Sequence, residues 1–146
     1  MMIKKALSAA AFAALSLSAA ATMIAPAAYA QEDAAETVVA SGSWTKKSFK
    51  SNGTWQIVER ADGHYVVLDD DFKTRRAPDL KIFLSPNSAA SLSGSNATDG
   101  SVLVAELSSN SGAQEYKIPE GTDLTAFQTI LIHCQAFSKL WSVAAI

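Results

Sequence analysis

The chain has 146 residues, 12 basic and 14 acidic side chains, two histidines and one cysteine. That length fits one domain, and the slight acidity argues against nucleic acid or an anionic membrane surface as the main partner. A lone cysteine excludes an internal disulfide, a Cys-x-x-Cys exchange motif and covalent attachment of a c-type haem.

Three zones open the chain. Met1 to Lys5 carries Lys4 and Lys5, Ala6 to Ala25 is apolar or small without charge, and Ala28-Tyr29-Ala30 has the small-x-small pattern of a cleavage site. Residues 1–30 therefore read as a signal peptide cut after Ala30, which places the mature chain in a periplasm or outside the cell without a stable membrane anchor. A retained anchor is the alternative, weakened by the alanine- and serine-rich composition of the stretch. Removing 30 residues leaves 116, with 10 basic against 14 acidic side chains, a charge of −4.

Residues 31–41 read as a flexible, acidic and alanine-rich leader, and residues 42–146 as the folded domain. Gly53 to Arg60 alternates, with Trp55 and Ile57 on one face. Asp62-Gly63 is a hairpin signal, and His64 to Leu68 is the returning strand. Asp79 to Ser85 alternates again. Pro86 to Gly100, rich in Ser, Asn, Ala and Gly, reads as a long surface loop. Ser101 to Leu107 and Ala113 to Ile118 read as a hairpin across Ser108–Gly112. Thr122 to Phe127 reads as the single helical turn, capped by Thr122. It leads into Thr129 to Gln135, the most apolar strand, and Ser138 to Ile146 closes the chain. The pattern predicts an all-β fold: an antiparallel β-sandwich or flattened barrel of about seven or eight strands.

Cys134 is the first candidate for chemistry. Period two puts Ile130, Ile132 and Cys134 on one face and Leu131, His133 and Gln135 on the other. The thiol then projects to the more apolar side, where a small buried core residue is the plain reading and a redox thiol the functional one. His133 adjoins it in sequence but points away, so the two are poorly placed to share a metal, and His64 is too isolated to complete a copper site. No metal site is expected. Asp69-Asp70-Asp71 reads as a solvated turn paired with Lys73, Arg75 and Arg76 rather than a calcium site. Trp44, Trp55 and Trp141 read as core.

The ordered series Asp71-Phe72, Pro78-Asp79-Leu80, Phe83-Leu84-Ser85, Tyr116-x-Ile118-Pro119, Asp123-Leu124 and Ile132-x-Cys134-x-x-Phe137 resembles the DM13 domain from about Gly42 to Ile146. The resemblance implies a β-rich extracellular or periplasmic module that transfers electrons through the cysteine at position 134. That cysteine would act as a bare thiol or hold a prosthetic group, haem being the candidate. His133 stands where the family commonly has tryptophan, and Trp141-Ser142 where it often has an aromatic-glycine pair. His133 would add a proton carrier beside the thiol. The resulting expectation is a redox accessory domain centred on Cys134, working with a redox or envelope protein partner. A non-catalytic sandwich that binds haem, another ligand or a protein, with Cys134 as core, is the alternative.

Overall fold

Alternation along Thr54–Arg60 sends Trp55 and Ile57 to one face, and both are completely buried in a computed structural model that describes residues 35–146. The expected signal peptide, residues 1–30, and its expected cut lie outside the described residues. Eleven strands follow in chain order: β1 Thr37–Ser43, β2 Thr45–Lys46, β3 Ser51–Asn52, β4 Thr54–Arg60, β5 Gly63–Leu68, β6 Lys73–Thr74, β7 Leu80–Ser85, β8 Val102–Glu106, β9 Gln114–Lys117, β10 Thr129–Cys134 and β11 Lys139–Ala145. Eight of these are at least four residues long, which matches the expected number. The other three are two-residue pairings too short to leave a period in the sequence.

A four-stranded sheet, β1-β4-β5-β9, faces a five-stranded sheet, β2-β11-β10-β7-β8, while β3 and β6 form a small ribbon. The pairings are antiparallel throughout, and the fold is an all-β sandwich rather than a closed barrel. The core between the sheets takes Trp55, Ile57, Val66 and Leu68 from one side and Leu80, Ile82, Leu84, Ile130, Ile132 and Cys134 from the other. Trp44 and Trp141 join it, as expected of the tryptophans.

Several sequence expectations are corrected. β1 begins at Thr37 and pairs with β4, so residues 37–41 belong to the sheet and not to a leader. Its hydrogen bonds to β4 define it, whereas its inward positions, Ala40 and Gly42, are only partly buried and too small to leave a hydrophobic period in the sequence. Ser101–Leu107 and Ala113–Ile118 do not form a hairpin: β8 pairs with β7 in one sheet and β9 with β5 in the other. The intervening segment is instead tied to β6 and its neighbour, through Thr74 N–H to Asn110 O and Gly112 N–H to Phe72 O. The turn at Leu124–Ala126 is a 3-10 helix capped by Asp123, which accepts from Thr125 N–H, while Thr122 Oγ1 donates to Pro119 O. A second one-turn 3-10 helix, Gln135–Phe137, ends β10 at Cys134, so the described residues hold two helical turns where at most one was expected.

Pro86–Gly100 is also more than a surface loop. Leu92 and Ala97 are buried against Phe83, Leu131, Leu140 and Val143, on the outer face of the five-stranded sheet. The segment therefore lids that face, which is why all six residues of β10 are buried. Apolar side chains only every few residues, among many serines, conceal such a lid in the sequence.

On the four-stranded sheet, Arg60 bonds Glu36 and Glu115 and stacks over Tyr65 at 4.5 Å. The Arg60 guanidinium holds the Glu115 carboxyl below its ordinary value of 4.5, and the Tyr65 hydroxyl does the same for Asp62. A depressed carboxylate contributes stability above its unfolded pKa and loses it as pH falls through the lower folded value. Stability should therefore decline below about pH 4.5, and Arg60→Gln should shallow that decline; melting temperatures measured from pH 6 to pH 3 check it.

Candidate functional site

Cys134 is the last residue of β10, and the chain turns immediately after it into the 3-10 helix Gln135–Phe137. Its partners across the sheet are Leu80 on β7 and Lys139 on β11. The side chain has no solvent exposure, and Sγ donates to Pro78 O at 3.1 Å. Gln135 N–H donates to Asp79 O beside it. Asp79 sits at φ 61°, a left-handed position that aspartate tolerates better than most residues.

His133 goes the other way. Its ring is 4 % exposed, meets Phe83 edge-on at 6.2 Å, and bonds Gly94 O of the lid through Nε2 at 3.1 Å. Gly94 O can only accept, so Nε2 is the donor and Nδ1 has no partner among the described residues. The thiol and the imidazole face opposite sides of one sheet and do not meet. His133 is thus not placed to carry a proton for Cys134, which removes the basis for pairing them in one site. His64 lies on β5 in the four-stranded sheet, away from both.

The aspartate run divides its work. Asp69 accepts from Thr54 Oγ1 and Asp71 from Thr54 N–H, and among the described residues neither pairs with Lys73, Arg75 or Arg76. Among the described residues no three His, Cys, Asp or Glu side chains gather as metal ligands, and no helix is long and apolar enough to cross a membrane.

The segment 75–79 between β6 and β7 meets the sulfur through Pro78 O, while Cys134 otherwise belongs to the core between the sheets. Among the described residues, Arg75 to Pro78 make no backbone–backbone hydrogen bond; Pro78 O is held by the thiol. This strap is the ridge between two surface clefts, with Arg76 and Ala77 lining both. One cleft, of about 270 Å³, runs along Asp79, Leu80 and Glu106 to Asn110. The other, of about 290 Å³, is walled by Phe49, Trp141, Phe137 and Pro78, with Arg75 and Lys139 at its edge.

A β-bulge builds the second cleft. Ile132 pairs with Ser142 but His133 with Leu140, so Trp141 is an extra residue in β11. Such a bulge re-aims side chains and adds local twist. Trp141 Nε1 thereby donates to Thr74 Oγ1, and Ser142 Oγ reaches Ser51 Oγ and Phe49 O. The Trp141 ring then packs on Phe49 at 4.1 Å, and the Arg75 guanidinium lies 5.0 Å over the Phe49 ring. Sequence reasoning missed this cluster. Its available signals were Trp141-Ser142 in place of an aromatic-glycine pair and the Arg75-Arg76 doublet ahead of Pro78.

Haem ligation through Cys134 does not fit. An axial thiolate needs open space on its metal side, whereas this sulfur is sealed, bonded to a carbonyl, and lines neither cleft.

Fold and site together define a small antiparallel sandwich whose one thiol is enclosed at the end of the central strand of the five-stranded sheet, bonded to the segment 75–79. A family model described as electron transfer DM13 matches residues 44–146. The chain belongs to the electron transfer DM13 family, and a redox or electron-transfer role follows at that coarse level. No curated protein and no solved structure matches the chain.

Proposed function

We propose that this chain is an exported accessory domain for electron transfer, that Cys134 is its redox group, and that the strap 75–79 controls access to it. The observation that carries the reading is the hydrogen bond from Cys134 Sγ to Pro78 O, at the end of a run, Arg75 to Pro78, that makes no backbone–backbone hydrogen bond among the described residues before Asp79 O accepts from Gln135 N–H. Segments with few backbone hydrogen bonds open at lower free energy than the sheets they lie on. Export rests on the charged, apolar and small-x-small zones of residues 1–30.

One thiol limits the chemistry to exchange with a partner that supplies the second sulfur. The partner is a disulfide-bearing envelope protein. Cys134 sulfur attacks one partner sulfur, the partner S–S bond breaks and a mixed disulfide forms. The second partner sulfur leaves and takes up the proton that Cys134 gave up. The Cys134 sulfur is oxidised from the thiol to the disulfide level, the leaving sulfur is reduced from the disulfide to the thiol level by the same one electron equivalent, and the attacked sulfur stays at the disulfide level. A second thiol reverses the step.

Glutathione disulfide serves as the probe. Native protein should acquire one glutathionyl group by mass, slowly, and lose it to a dithiol reductant. Cys134→Ser should acquire none and keep its fold. The complete enclosure of the sulfur favours a second reading, a structural core cysteine in a binding sandwich. Under that reading the adduct forms only when the protein unfolds.

A further inference from the structure

The cleft beside the strap combines aromatic walls with a basic edge. Its walls are aromatic: Phe49 packed on Trp141, with Phe137 more than half exposed at the rim. Its charged lining is wholly basic, Arg75, Arg76 and Lys139, with no aspartate or glutamate among the lining residues. On a domain whose folded part is acidic overall, this is a local reversal of sign. Among the described residues, none of these three cations forms an ion pair. Arg75 is held over the Phe49 face, a placement that keeps its guanidinium at the cleft while leaving donors directed outward.

The geometry points to a binding site for a small organic anion with a flat aromatic body. The ring would lie on exposed Phe137 and half-buried Phe49, with the nearly buried Trp141 backing Phe49 as the floor of the cleft, and its carboxylate would meet the basic edge. About 290 Å³ accommodates a one- or two-ring molecule, at the small end of ligand sites. Neither element suffices alone: an exposed basic edge binds simple anions weakly in water, and a shallow aromatic wall holds neutral rings weakly. The inference goes beyond electron transfer and does not depend on the reactivity of Cys134.

The test uses 2-naphthoate, its neutral counterpart 2-naphthamide, and inorganic phosphate, each titrated into isotope-labelled protein and followed by NMR. Naphthoate should shift the Trp141 indole N–H and the amides of Phe137 and Lys139 saturably. Naphthamide and phosphate should bind at least about tenfold more weakly, and added salt should weaken naphthoate. Arg75→Gln combined with Lys139→Gln, both at exposed positions, should lower naphthoate affinity about tenfold or more while the protein stays folded, with a melting temperature only slightly lowered by loss of the Arg75–Phe49 contact. Cys134→Ser should leave binding intact, so this inference and the thiol reading fail separately. Equal binding of naphthoate and naphthamide would overturn the inference, as would shifts confined to another face. If the double variant unfolds, the ligand and salt comparisons in the natural sequence still decide.

Discussion

Trp55→Ala should remove about 3–5 kcal/mol of stability, out of the ~5–15 kcal/mol typical of a domain. Trp55 is completely buried at the centre of the core, tilted against Trp44 at 6.3 Å between ring centroids. Gly42 passes directly beneath its ring; a Cβ there would lie 3.0 Å from Trp55 Cζ2. The surrounding sheets are fixed by their own ladders, so they cannot collapse into the space an indole leaves. Trp55→Phe should cost much less. It keeps most of the apolar volume, and the lost Nε1–H has no partner among the described residues. Urea unfolding followed by far-ultraviolet circular dichroism checks both. Equal midpoints for the alanine variant and the natural protein would contradict this account of the core.

Gly94→Ala should detach the lid. A Cβ at Gly94 would stand 2.3 Å from Ser138 O, a backbone atom that cannot rotate away. Gly94 is not at a positive φ, so the penalty is steric rather than conformational. Overpacking of this kind costs about 1–3 kcal/mol. It should also break the His133–Gly94 hydrogen bond and loosen Leu92 and Ala97 from Leu131 and Val143. Hydrogen exchange should then quicken in residues 86–100 and in β10 before the four-stranded sheet changes. Gly112→Ala is the control. It has φ 87° but nothing within 4 Å of a Cβ, so it carries only the backbone cost of about 1–2 kcal/mol and no lid effect.

The sheet-forming segments were legible because burial repeats every two residues. Trp55 and Ile57 on β4, and Ile130, Ile132 and Cys134 on β10, face the core as alternation requires. Alternation alone also sends Cys134 and His133 to opposite faces of β10. It could not say which strands pair. The segments around Ser108–Gly112 look like a hairpin locally, yet the chain there crosses from one sheet to the other, held by bonds to Phe72 and Thr74 far away in sequence. The lid was hidden for a similar reason: two buried side chains, Leu92 and Ala97, are too few to make a period.

The site was half legible. The ordered motifs marked Cys134, but its cover depends on a carbonyl, Pro78 O, and backbone acceptors leave no trace in residue type. The aromatic cleft depends on the Trp141 bulge, which appears only when the registers of β10 and β11 are laid side by side. Phe49 does not stand out in sequence, and the Arg75-Arg76 doublet does not say which ring it will meet. They converge because β11 turns Trp141 toward one and the strap brings the other.

The rate at which native protein takes up one glutathionyl group, measured by mass across increasing urea, tests the proposed role of Cys134 most directly. Opening of the strap alone exposes little surface, so the rate should be nearly independent of urea at low concentration and rise only near the unfolding transition. A rate that climbs with the full slope of global unfolding from the lowest urea onward would mean the sulfur is reached only in unfolded chains, and would leave Cys134 a core residue.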